Sequence, residues 1–269
     1  MILGINCTTV APLSRGELEW FQNTRTVESV RFNVPATEAE IVAFLDAYVG
    51  MRIRPLLLFD TVEKHPLAPI AIQAAIDRLG LAGFDVESVN EWRNQDGRPT
   101  LERTITAAQI LYHVARAAGH TGAVLAPSIM NLDKDRDIPD FRAFAEALPD
   151  DCTLNVHRYA PKSRLRPPRL SDPWPPARSR AEEFDLLRSI AGAHPIAFTE
   201  FGENEHVKYF FDLLTATNTP EKVKADLIEE LRLLEAQGVV AAYPYTWPQG
   251  DGFGMAGTMA EEALNEWRT

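Results

Sequence analysis

The chain has 269 residues, 45% apolar and 24% charged, with 27 Lys and Arg against 38 Asp and Glu for a net charge of -11. That composition excludes a disordered chain, a collagen and a coiled coil, and the acidic balance argues against a binder of duplex nucleic acid, whose phosphates need a basic surface. Domains commonly hold about 100–200 residues and barrels reach about 250 as one unit, so the length leaves one large barrel or two small domains.

Short apolar runs alternate with amphipathic ones along the chain. The apolar runs are 2–7 (ILGINC), 29–34 (SVRFNV), 53–60 (IRPLLLFD), 84–92 (FDVESVNEW), 121–129 (TGAVLAPSI), 152–159 (CTLNVHRY), 195–202 (PIAFTEFG) and 239–247 (VVAAYPYTW). Their length and their branched and aromatic residues predict eight buried parallel strands. Helical patterns separate them. Residues 37–50 open with a capping box, Thr37 with Glu40 three places on, and carry Ile41, Phe44, Leu45 and Tyr48 at helical spacing. Further helices are expected over 67–80, 101–119, 138–150, 178–192, 219–238 and 255–268, the sixth of these with Pro220 at its first position. Between the first two strands only a short helix, over 13–22, is expected.

Eight strand–helix units of about 33 residues predict a single (β/α)₈ barrel spanning 1–269. A doubly wound open sheet uses the same units, but eight are many for it, and no GxGxxG phosphate loop follows the first strand. The stretch 160–177 is Pro-rich and basic and reads as a long loop. From Arg158 to Arg180 seven Lys and Arg face only Asp172. Two readings of that loop stand open: arginines solvated or paired with the acidic body, or a wall for an anionic glycan, since the guanidinium fork suits carboxylates.

Cys7 and Cys152 are too few for a disulfide scaffold, and they fall at opposite ends of their strands, too far apart to bridge. No run of 18 apolar residues predicts a membrane helix. The opening MILGINCTTVAPLS lacks the basic and apolar regions of a secretory leader. The cytoplasm is the default expectation, with secretion left open.

In such a barrel the chemistry gathers at the C-terminal ends of the strands. There the sequence places Arg31, Asp60, Asn90-Glu91-Trp92, His157-Arg158-Tyr159, Thr199-Glu200 and Trp247. Glu91 and Glu200 stand in or beside apolar runs, where a carboxylate is costly unless paired or functional. Each has a purely structural reading, capping a helix or pairing with Arg31 or Arg93. Strands four and seven are three apart around the ring, so the two can face each other across the mouth. Two facing carboxylates are the minimum for cleaving a glycosidic bond. His65 is expected at the border of the pocket. The sequence has no HExxH and no clustered Cys-His set, so no metal or cofactor is expected.

These segments carry a resemblance. VESVNEW resembles the strand-four acid/base segment of the large clan of retaining (β/α)₈ glycoside hydrolases that includes cellulases, β-mannanases and β-xylosidases. PIAFTEFG resembles the clan's nucleophile segment on strand seven, NVHRYAP its strand six and AAYPYTW its strand eight. The resemblance implies Glu91 as acid/base, Glu200 as nucleophile, Asn90 on the sugar 2-hydroxyl, Tyr159 orienting Glu200, His157 lining the site and Trp247 under the sugar. Trp92 stands where the clan commonly has Pro and is expected to serve as a sugar platform. Arg31 and Asp60 fall where the clan places sugar-binding polar groups. The implied activity is retaining hydrolysis of a β-glycosidic bond in an oligo- or polysaccharide, neutral or anionic, with no nucleic acid and no membrane as partner. Two alternatives remain open: a non-catalytic carbohydrate-binding barrel, and a sugar isomerase or epimerase holding a divalent metal on Glu91, His157 and Glu200.

Overall fold

A computed structural model describes residues 1–7, 13, 15–24, 27–95, 97–130, 137–159, 180–202, 220–244 and 259–267. Its strands are β1 (Ile2–Asn6), β2 (Ser29–Asn33), β3 (Arg54–Leu58), β4 (Asp85–Glu87), β5 (Val124–Met130), β6 (Thr153–Tyr159), β7 (Ile196–Gly202) and β8 (Ala241–Pro244). All pair in parallel in chain order, and β8 returns to β1 through Ile2–Ala241 and Leu3–Ala242, closing the barrel. The helices are α1 (Arg15–Thr24), α2 (Glu38–Asp46), α3 (Ala68–Leu79), α4 (Leu101–Ala117), α5 (Ile138–Ala147), α6 (Arg180–Ala191), α7 (Pro220–Ala236) and α8 (Met259–Glu266). None of them is long and apolar enough to cross a membrane. The expected (β/α)₈ architecture is the one observed.

Local signals act as the sequence implied. The hydroxyl of Thr37 accepts from the backbone N–H of Glu40 at 3.3 Å, and the Glu40 carboxylate accepts from the backbone N–H of Thr37 at 3.1 Å. Two orphan donors at the α2 N-terminus are thereby satisfied. Two expectations need correction. The helix after β1 has the ten residues expected but runs over 15–24, two places later, where Leu18 and Phe21 find a buried seat in the core. The strand expected to run to Trp92 ends at Glu87, because Glu91 adopts a left-handed conformation that no strand contains. Cys7 and Cys152 are free and buried. Burial raises both thiols above their usual range, so neither is a ready nucleophile.

Period-two alternation sorts each strand into two faces. Outward residues such as Ile5, Val30, Phe32, Leu57, Val86, Leu154 and Phe198 join the large cluster that packs under the helices. A second, smaller cluster of Leu56, Leu125, Ala197, Ala241 and Tyr243 contains the strand residues of opposite parity. Other inward positions are polar: Ser29, Arg31, Asp85, Glu87, Asn155 and His157, all buried. An interior that only had to be filled would hold branched apolar residues in layers. This one has an apolar plug below a layer of charge.

Gly4 shows how tightly the plug is made. The Tyr243 ring lies where a Gly4 side chain would be, its Cε1 occupying the place of an added Cβ. The ring is anchored there by its hydroxyl, which donates to Ser29 Oγ at 3.0 Å. Gly4→Ala should therefore displace Tyr243 and cost about 1–3 kcal/mol, as overpacking does. Urea unfolding would read this as a lower midpoint at unchanged slope.

Candidate active site

The centre of the site is Arg31, whose side chain is 0% exposed. Its Nε donates to Glu87 Oε2 at 2.6 Å and its Nη2 to Glu87 Oε1 at 2.7 Å. Nη2 also donates to Asn90 Oδ1 at 2.8 Å, and Nη1 donates to Glu200 Oε1 at 2.6 Å. Burial works against the guanidinium charge, but the charges and hydrogen bonds of Glu87 and Glu200 hold it well above its ordinary range. The pairing of Glu200 with Arg31, one of the two readings the sequence left, is the one observed.

Glu200 reaches the interior through an irregularity. Val156 pairs with Phe198, but His157 pairs with Glu200 and not with Thr199. The extra residue is a bulge in β7, and bulges re-aim side chains. Alternation alone would send Thr199 and Glu200 to opposite faces. With the bulge, Thr199 donates to Asn155 Oδ1 at 2.8 Å inside the barrel while Glu200 reaches Arg31. A second bulge lies in β5, where Leu125 pairs with Thr153 but Ser128 pairs with Asn155. Pro127 falls in that step, a position that needs no ladder donor. The result turns Ser128 inward, 0% exposed.

Ser128 then supports Glu91. Its hydroxyl accepts from the Glu91 backbone N–H at 2.8 Å and donates to Asn90 Oδ1 at 3.2 Å. Among the described residues Glu91 is the one non-glycine with positive φ, at 38°. Such a conformation costs of order 1–3 kcal/mol and persists only where surrounding contacts impose it. Here they are many. Asn90 N donates to the Asp60 carbonyl at 3.0 Å, Asn94 N to the Glu91 carbonyl at 2.7 Å, and Gln95 Nε2 to the carbonyls of Asp60 and Asn90. His65, on the turn after β3, is buried and holds Ser88 Oγ at 2.9 Å. It supports the exit of β4 and does not border the mouth.

The turn delivers the Glu91 carboxylate to His157. His157 Nδ1 lies 2.8 Å from Glu91 Oε1 and 3.5 Å from Glu200 Oε2. Asn94 Nδ2 donates to Glu91 Oε2 at 2.9 Å. Burial opposes ionisation of Glu91. The hydrogen bond and charge of His157, with help from Asn94 and against Glu200, outweigh it and hold the carboxyl below its usual range. A ring nitrogen of His157 and one oxygen each of Glu91 and Glu200 all lie within 4.8 Å of one another.

The structure thus brings Arg31, Asn90, Glu91, His157 and Glu200 together. It places three other expected residues differently. Asp60 contributes its carbonyl, while its carboxylate pairs with Lys64 at 3.0 Å. Trp92 is only 8% exposed, and the Arg93 guanidinium covers its ring at 4.7 Å. Arg93 is in turn clamped by Asp140 on α5 at 2.5 and 2.8 Å. Arg93 therefore fastens the loop after β4 to α5, and Trp92 joins the core beneath it. Arg158, counted with the basic loop, pairs instead with Glu183 of α6 at 2.9 Å. The rest of that loop, 160–179, lies outside the described residues, as do Trp247, the glycine-rich 250–257 and the acidic–basic run 131–136. Tyr159 is described in its backbone only, paired with Gly202.

The sequence reading passed over Glu87, Asn155, Thr199, Ser128 and Asn94. Glu87 and Asn155 carried a signal: each lies an even step before a noted site residue, Glu91 and His157. Thr199 and Ser128 carried none, because bulges turn them inward.

The chain matches no protein-family model, and no curated protein matches it. Solved structures do resemble it. A glycoside hydrolase family 5 enzyme from Prevotella bryantii B14 is 14% identical with a TM-score of 0.68, over 100% of this chain and 96% of its own. Thermotoga maritima Cel5A, solved with mannotriose, is 13% identical with a TM-score of 0.64, over 99% and 96%. A monomeric β-xylosidase from Caulobacter crescentus CB15 is 14% identical with a TM-score of 0.66, over 98% and 67%. The chain therefore has the fold of these (β/α)₈ glycoside hydrolases and resembles them distantly.

Removing one partner of a buried ion cluster leaves an uncompensated charge, at a cost of about 3–5 kcal/mol. Arg31→Met keeps the volume and strands Glu87 and Glu200. Its unfolding free energy should fall by that amount, measured by chemical denaturation at neutral pH.

Proposed function

We propose that the protein is a retaining glycoside hydrolase, with Glu200 as nucleophile and Glu91 as acid/base. The observation that carries this reading is the short gap between the two carboxylates. Retaining enzymes hold their carboxyl groups roughly 5–5.5 Å apart, and inverting ones roughly 6.5–9.5 Å, to leave room for a water. An oxygen of Glu91 within 4.8 Å of one of Glu200 supports the retaining geometry. A barrel that only bound sugar would have no need of that approach, nor of the strained turn at Glu91.

The acid needs a proton although His157 favours its ionised form, and the hydrogen-bond network supplies one. The Thr199 hydroxyl has a single proton, with two acceptors available, Asn155 Oδ1 at 2.8 Å and Glu87 Oε1 at 3.2 Å. Towards His157 Nε2, 3.0 Å away, it therefore accepts. This assigns the tautomer: Nε2 carries a proton. The 2.8 Å contact between Nδ1 and Glu91 Oε1 then requires one further proton, on whichever atom holds it. That shared proton goes to the leaving oxygen. In the first step a Glu200 oxygen bonds the anomeric carbon, the glycosidic C–O bond breaks, and the pair's proton passes to the departing oxygen. In the second a water oxygen bonds the anomeric carbon, the ester to Glu200 breaks, and the water's proton returns to the pair.

Asn90 fits the part of binding the sugar, its Oδ1 already accepting from Arg31 and Ser128, so that a substrate hydroxyl would meet its N–H donors. Tyr159 orienting Glu200 and Trp247 flooring the sugar remain proposals by resemblance, as do a neutral or anionic glycan substrate, no role for nucleic acid, and a cytoplasmic or secreted site of action.

One observation favours a second reading: Glu91, His157 and Glu200 form a set of three possible metal ligands, the set a sugar isomerase would use. Arg31 weighs against it. Its fixed positive charge lies 2.6 Å from Glu200 and repels a second cation there. A chelator separates the two, abolishing isomerase activity and leaving hydrolysis intact.

A fluorinated mechanism-based glycoside should label Glu200, identified by peptide mass spectrometry; labelling elsewhere, or an inverted product by NMR, would sink the assignment. Glu91→Gln should slow substrates with poor leaving groups by about 10²–10⁴-fold, the usual worth of a general acid, and activated aryl glycosides far less. Equal losses on both would remove Glu91 as the acid.

A further inference from the structure

We propose that Glu87 is a positioning residue that ties the two catalytic carboxylates together, a role that rests on the hydrolase reading above for its kinetic consequences. Glu87 is 0% exposed and lies four residues before Glu91. Every contact it makes comes from a donor. Oε2 accepts from Arg31 Nε at 2.6 Å, and Oε1 accepts from Arg31 Nη2 at 2.7 Å and Asn155 Nδ2 at 2.7 Å and shares the Thr199 hydroxyl proton, at 3.2 Å, with Asn155 Oδ1. An ionised carboxylate is the side chain that accepts at both ends.

Two chains of contact leave this group. The first runs through Arg31 to Glu200. The paired bonds to Glu87 fix the guanidinium plane, as a bidentate fork does, and so aim Nη1 at Glu200 Oε1. They also divide the cation's charge. Arg31 carries one positive charge and faces two carboxylates, so Glu200 keeps a net negative character and is not quenched in a closed ion pair. The second chain runs through Asn155 and Thr199 to His157 Nε2, and from His157 Nδ1 to Glu91. One buried carboxylate thus sets both the attacking group and the group that holds the proton.

Among the described residues the charged and titratable groups around His157 are Glu91 and Glu87 of the β4 segment, Glu200 of β7 and Arg31 of β2. β5 contributes the uncharged Ser128. Glu87→Gln keeps the shape but turns an NH₂ against a donor of Arg31 or Asn155. Arg31 then falls to Glu200 alone. We expect kcat/KM to drop about 10–100-fold, the size seen when an outer partner of a functional ligand is lost. The acidic limb of its pH profile should move to lower pH, because Glu200 is held ionised more firmly. The His157 ring titration, followed by NMR, should also move to lower pH, because a negative charge has gone. Glu87→Asp should recover part of each effect. A residue that served stability alone would lower the melting temperature and leave the limbs and the titration in place. That result overturns the proposal.

If Glu87→Gln does not fold, Thr199→Val decides. It removes the hydroxyl that links Glu87 and Asn155 to His157 and with it the acceptor of Nε2–H, so the His157 titration should again move to lower pH; an unmoved titration overturns the proposal. The NMR measurement needs no substrate. A wild-type protein that hydrolyses no glycan would sink the hydrolase reading by itself, while the titrations would still decide the link through Glu87.

Discussion

A guanidinium with no access to water dominates the energetics of this barrel. The effective penalty for burying one ion is several kcal/mol even after relaxation, so every donor of Arg31 that is left unmet would weigh on folding. The chain meets the demand with a bidentate carboxylate, Glu87, a second carboxylate, Glu200, and an amide, Asn90. The choice propagates outward. Glu87 needs further donors and takes them from Asn155 and Thr199. Thr199 can face inward only because β7 carries an extra residue. The apolar plug is confined to the layer below, where Leu56, Leu125, Ala197 and Ala241 gather around Tyr243.

The same layer sets the electrostatics of the mouth. Three carboxylates and one guanidinium leave the interior negative, and His157 stands at its upper edge between Glu91 and Glu200. The imidazole hydrogen-bonds the Glu91 carboxylate through Nδ1 at 2.8 Å. Its position holds the Glu91 carboxyl below its usual range without depriving the pair of the proton an acid must donate. Strain adds to this. The left-handed turn puts Glu91 beside His157, and the Ser128 and Asn94 bonds that maintain the turn also limit where its carboxylate can go. Rigid placement of reacting groups is a large part of what an enzyme contributes to rate.

The periphery is built differently. Arg158 pairs with Glu183, Arg93 with Asp140, and Lys224 of α7 with Glu262 and Glu266 of α8 at 2.9 and 2.7 Å. These pairs join neighbouring helices and loops of the outer ring. They show why a count of basic residues overstates what a stretch presents to a ligand. Arg158 adjoins the loop in sequence, yet its charge is met within the barrel wall.

How much of this was legible depended on the range of the interaction. The eight strands, most helix bounds and the Thr37 cap follow from local rules of spacing and hydrogen bonding, so the sequence by itself determined the barrel. It also determined that Glu91, His157 and Glu200 come to one end, because strand order in a parallel barrel follows chain order. Alternation along DVE and SVRFN even marks Glu87 and Arg31 as facing one way. What only the tertiary structure decided was partnership. Arg31 chose Glu87 and Glu200 over other carboxylates because the register places them in one layer, a relation among residues up to 169 positions apart. Trp92 turned into the core, and Asp60 offered its carbonyl in place of its acid, because the chain leaves β4 through a left-handed residue. Thr199 and Ser128 face inward because two strands each hold one residue too many for their neighbours. Register, bulges and positive φ are settled by the sum of long-range packing, and no local pattern in the sequence carries that sum.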